Sequence, residues 1–112
     1  MPKPSTRNYS PIARDAAALL GEMIRAARIR RRMTAAELGK RAGVSRGLVS
    51  RVEAGDMGAA LGAAFEMAAV LGVPLFDAAP ERVSQALEST REVNALLPKR
   101  AFQLTAEVDD DF

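Results

Sequence analysis

Apolar residues recur every three or four positions along most of this chain, and Gly, Pro and capping residues punctuate the runs. That period predicts helices rather than strands. Ser10-Pro11 reads as an N-cap followed by proline at the first helical position. The helix it opens is expected to run to about Arg32, with Ile12, Ala16, Leu19, Leu20, Met23, Ile24 and Ala27 as its apolar stripe. Thr34 then caps a second helix, with Glu37 three residues on as its capping-box partner. Leu38 and Ala42 point inward, Gly43 supplies the left-handed turn and Val44 plugs the corner. Ser45 caps a third helix, Arg46 to Glu53, which stops at Gly55 and buries Leu48, Val49 and Val52.

Beyond a short loop, a fourth helix carries Leu61, Phe65, Ala68 and Leu71 on one face, with Phe65 read as core, and ends at Gly72. VPLFD predicts a short turn of helix behind Pro74. Residues 80 to 97 form a further amphipathic helix in which Val83, Ala86 or Leu87, Thr90, Val93 and Leu97 recur near a spacing of 3.5. That face either folds back on its own domain or forms a dimer seam. The pattern thus divides the chain into a flexible basic arm (1–10), a helical domain (11–78), an amphipathic helix (79–97) and an acidic tail (98–112) expected to be disordered alone.

Charge changes the picture. The net charge of the 112 residues is only +2, yet residues 1–51 hold twelve Lys/Arg against three acids. Residues 52–112 hold four against eleven. The first half is built to meet a polyanion and the second would be repelled by one. With no Cys and no His, common zinc sites, thiol catalysis and imidazole acid–base chemistry have no residues to use. No Gly-rich phosphate loop or membrane-spanning run is present, and the first residues are not expected to act as a signal peptide. No enzyme activity, cofactor or metal is expected, and the absence of cysteine suits a reducing cytoplasm.

The candidate chemistry lies between Thr34 and Gly55. Helix, tight turn and second helix read as a helix-turn-helix whose outer face carries Ser45, Arg46, Gly47, Ser50 and Arg51. Guanidinium arms pair with guanine edges or phosphates, and small residues admit the backbone to the groove. The plainer reading is a helical hairpin with a solvated basic face. Arg28, Arg31 and Arg32 crowd the end of the first helix. Cations suit a helix C-terminus, and the same side chains are placed to clamp phosphates.

The linked stretch LGEMIRAARIRRRMTAAELGKRAGVSRGLVSRVEAG and the later FEMAAVLGVPLF resemble the Xre/Cro-type helix-turn-helix regulators over roughly residues 19 to 77. The resemblance implies a lambda-repressor-like all-α, five-helix domain, here followed by an additional C-terminal helix. More narrowly, GVPLF, LLPKR and the terminal EVDDDF are similar to HipB-type antitoxins paired with a HipA-type serine/threonine kinase toxin. That likeness implies a cytoplasmic, nucleoid-associated homodimer that represses a palindromic operator and restrains the kinase. It carries Thr34, Ser45, Arg46, Gly47, Ser50 and Arg51 over as DNA contacts, supported by Arg28, Arg31 and Arg32. It makes Lys99, Arg100, Asp109, Asp110, Asp111 and Phe112 the partner-binding residues. Two departures stand out. Ala35 occupies the place where many Xre domains have a DNA-contacting Gln, and residues 78–97 show no strand for the small β-lid through which such antitoxins often dimerise. The competing readings are a stand-alone Xre-family regulator and an interaction adaptor without DNA binding.

Overall fold

The computed structural model describes residues 8–98, so the expected tail and most of the basic arm lie outside the described residues. Five α-helices follow one another: α1 (Pro11–Arg30), α2 (Ala35–Ala42), α3 (Arg46–Glu53), α4 (Leu61–Leu71) and α5 (Val83–Leu96). A 3₁₀ turn, Pro80–Arg82, precedes α5. Among the described residues there is no strand, only an isolated bridge between Leu75 and Ala78. The all-α class expected from the sequence is the one observed.

Local chemistry sets most boundaries. The Ser10 hydroxyl accepts the Ala13 N–H at 3.2 Å and opens α1. At α2, Thr34 Oγ1 accepts the Glu37 N–H at 3.0 Å while Glu37 Oε1 accepts the Thr34 N–H at 2.8 Å, the reciprocal capping box. Gly43, at φ 74°, ends α2 in the left-handed region. Ser45 Oγ then takes the Leu48 N–H at 3.0 Å and opens α3.

The first helix stops at Arg30, short of the expected Arg32. Its end is a Schellman arrangement, with Met33 N–H donating to the Arg28 carbonyl at 3.1 Å and Arg32 N–H to the Ile29 carbonyl at 2.8 Å. Arg32 holds the left-handed position at φ 57°, which a non-glycine residue adopts at a cost of roughly 1–2 kcal/mol. No glycine announces this turn, so the sequence pattern overran it.

Eleven residues make the core: Ile24 and Ala27 from the end of α1, Met33 from the turn after it, Leu38 from α2, Val49 and Val52 from α3, and Ala64, Met67, Ala68, Leu71 and Val73 around α4. Gly21 brings α1 onto the end of α3. A Cβ there would meet the Val52 carbonyl and stand 2.7 Å from that of Glu53, so only glycine permits the approach.

Three packing expectations change. Ile12, Ala16 and Leu19 are exposed because α1 enters the core only in its second half, through Ile24 and Ala27. In α4 the buried face is Ala64, Met67, Ala68 and Leu71, while Leu61 is exposed and Phe65 only half-buried. Almost every residue of LGAAFEMAAVL is apolar, so period alone could not choose the face; the small alanines let α2 and α3 come close. Phe65 instead meets Phe76 edge to face, ring centroids 6.1 Å apart. VPLFD forms no helix. Leu75 and Ala78 exchange two backbone hydrogen bonds of 2.9 Å around Phe76 and Asp77, both at positive φ, a tight turn of the primed type.

Candidate nucleic-acid interface

Helix α3 is anchored by one face and open on the other. Val49 and Val52 are buried and Leu48 half-buried, which leaves Arg46, Gly47, Ser50 and Arg51 in solvent with Ser45 at the helix entry. The structure brings these five sequence-predicted residues onto one surface. Gly47 is open in the literal sense: a Cβ there would find only Ser45 Oγ within 4 Å, at 3.9 Å. Thr34, the cap of the preceding helix, is also exposed while its side chain closes the capping box.

Two arginines of the α1 cluster turn out to serve the fold. Arg28 pairs with Glu53 at the far end of α3 through two parallel bonds, Nε to Oε2 at 2.6 Å and Nη2 to Oε1 at 3.0 Å. Its Nη1 donates to the Met33 carbonyl at 2.8 Å. The side chains are 14% and 9% exposed, and the carboxylate holds the guanidinium pKa above its ordinary value. Arg28 thus locks α1 to the recognition element from within rather than reaching outward. Arg31 donates Nη1 to the Leu71 carbonyl at the end of α4, where a cation suits the unpaired carbonyls. Arg32 remains exposed at its left-handed turn.

The sequence reading missed Asp56. Its Oδ2 accepts Arg51 Nε–H at 2.8 Å, and its Oδ1 accepts the Gly58 N–H at 2.8 Å. The Asp56 N–H returns to the Arg51 carbonyl at 3.0 Å. These bonds hold the carboxyl below the usual carboxylate range, the Arg51 contact first. The available signal was an Asp two residues before Gly58, just past the end of the helix, a place where Asp side chains bond the backbone two residues on. Lys99, Arg100, Asp109, Asp110, Asp111 and Phe112 lie outside the described residues.

Residues 24–77 match the family model described as Helix-turn-helix. No curated protein and no solved structure matches the chain. The chain therefore carries an Xre-like helix-turn-helix domain spanning α2–α4, most of the core end of α1, and the turn after α4. Domains of this class are DNA-binding units that place the second helix of the motif in the major groove. No helix among the described residues is long and apolar enough to cross a membrane.

Proposed function

We propose that this chain is a sequence-specific DNA-binding transcriptional repressor that reads its operator with α3. The observation that carries the proposal is the outer face of that helix. Arg46, Gly47 and Ser50 are exposed, and among the described residues neither the Arg46 nor the Ser50 side chain is spent on a hydrogen bond or ion pair, on a helix whose other face is locked into the core. Arg46 and Arg51 supply the guanidinium donors to base edges, Gly47 and Ser50 admit the backbone, and Ser45 and Thr34 stand at helix entries suited to phosphate. Arg32 and the outer part of Arg31 add phosphate contacts. Arg28 leaves that set, because its donors are held by Glu53 and Met33.

The same proposal makes the protein a homodimer joined through α5. No residue of that helix is buried, and Leu87, Val93 and Leu97 stand about half exposed along one side. The Thr90 hydroxyl donates to the Ala86 carbonyl at 2.8 Å, so the side chain enters an apolar contact without an orphaned donor. Antiparallel pairing about a two-fold axis at Thr90 sets Val83 against the partner's Leu97 and Leu87 against the partner's Val93. Such reciprocity is what an isologous contact requires. Two readers related this way suit a palindromic operator.

The finer reading, an antitoxin that restrains a HipA-type serine/threonine kinase, rests on the resemblance of GVPLF, LLPKR and EVDDDF. It makes residues 99–112 the kinase-binding segment. Selection from a randomised duplex library, followed by titration against salt, tests the DNA proposal. A single enriched palindromic motif and a steep loss of affinity with salt are expected. Weak, salt-insensitive binding would instead favour the adaptor. Co-purification from the native host tests the finer reading: a stoichiometric kinase supports it, and promoter DNA alone leaves a stand-alone repressor.

A further inference from the structure

An acidic side chain bonded to the outer face of a DNA-reading helix is an electrostatic cost, since it opposes the approach of phosphates. Asp56 is such a side chain. The contact with Arg51 adds little to stability, because the Arg51–Asp56 pair is 55% and 37% exposed, and ion pairs in solvent contribute little. Its geometry suggests another use. A guanidinium carries one N–H on Nε and two on each Nη. Asp56 engages the Nε edge of Arg51, while its own orientation is fixed by the Gly58 N–H and by the bond from its N–H to the Arg51 carbonyl. Side chain and backbone of the two residues are tied twice over. The end of the fork, Nη1 and Nη2, is left to meet a bidentate acceptor pair.

We propose that Asp56 is a positioning residue that presents Arg51 end-on to the N7 and O6 of one guanine, so that it sets the base preference at that position. The proposal rests on the DNA-reading function proposed above and adds to it the base and the residue that fixes it. Without the carboxylate, Arg51 is a flexible cation that any phosphate can capture. Removing Asp56 therefore lowers affinity for the selected site while leaving, or raising, affinity for unrelated DNA. A loss of fold would lower both together.

The test uses the full chain and the duplex enriched from a randomised library. Wild type, Arg51→Ala, Asp56→Ala and Asp56→Asn are titrated on that duplex, on a scrambled duplex, and on the enriched duplex with a guanine analogue lacking N7 at the position Arg51→Ala relaxes. Wild type is expected to lose roughly tenfold on the analogue. Asp56→Ala should bind natural and analogue duplexes about equally, with unchanged or tighter binding to the scrambled one. Asp56→Asn, which keeps an acceptor without the charge, should fall between; circular dichroism and melting check that both variants fold.

Full guanine discrimination in both Asp56 variants, with discrimination lost in Arg51→Ala, would overturn the positioning role and leave the DNA-reading function standing. A parallel fall on all three duplexes would make Asp56 structural and also overturn it. So would an Arg51→Ala variant that weakens every duplex equally, since Arg51 would then be a phosphate contact. If wild type enriches no sequence, the function itself fails and the proposal falls with it.

Discussion

Helices α4 and α5 are both expected from sequence, yet they end in opposite situations. The eleven residues of α4 bury four side chains, whereas the fourteen of α5 bury none. Period and length are therefore no guide to which helix is inside. What differs is the opposing surface. Helices α1, α2 and α3 all pack on α4, and α5 meets chiefly its own 3₁₀ turn and the edge around Leu75 and Phe76. The helix-turn-helix unit is closed by its own residues, while the apolar side of α5 stays largely exposed among the described residues.

The strongest way to break the closed unit is at Arg28. Arg28→Ala leaves the Glu53 carboxylate in its part-buried site unpaired and should cost about 3–5 kcal/mol of unfolding free energy in urea. A loss below about 1 kcal/mol would show that the pair is an ordinary surface contact. Thr34→Ala, which removes the α2 cap, should cost about 1 kcal/mol by the same measurement. Arg32→Gly should act in the other direction and gain about 1 kcal/mol by relieving the left-handed strain, while salt titration of DNA binding shows the loss of a phosphate contact.

Acid sharpens the comparison further. Glu37 is held below its ordinary carboxyl range by the Thr34 N–H, so its contribution is complete above the unfolded value of about 4 and is lost as pH falls through the folded one. The melting advantage of wild type over Glu37→Ala should be constant near neutrality and vanish in acid. The smallest expected effect on folding is at α5. Leu87→Ser should change unfolding of the dilute protein by no more than about 0.5 kcal/mol yet abolish self-association in sedimentation. A substantial loss of monomer stability would mean that α5 packs on its own domain.

The helix-turn-helix was legible because its signals are local. Thr34 with Glu37, Gly43 and Ser45 each bond within a few residues, so the sequence contains both partners of every contact. The outer face of α3 followed directly from the burial of Val49 and Val52. What could not be read required distant partners or unmarked backbone. Arg28 finds Glu53 across 25 residues, which converts a supposed phosphate clamp into an internal tie. Arg32, Phe76 and Asp77 take left-handed conformations that glycine normally advertises. Asp56 hid in a loop, five residues from the arginine it holds.

The empty space around Gly47 has a consequence for how this protein can change. Glycine inside a helix forgoes up to about 1 kcal/mol relative to alanine, and here no neighbour demands it. An alanine Cβ there would meet only Ser45 Oγ, at 3.9 Å, and would strengthen the helix. In the proposed DNA reader, a methyl group at position 47 would therefore act on groove approach alone, carrying its own stabilisation and leaving the frame beneath untouched.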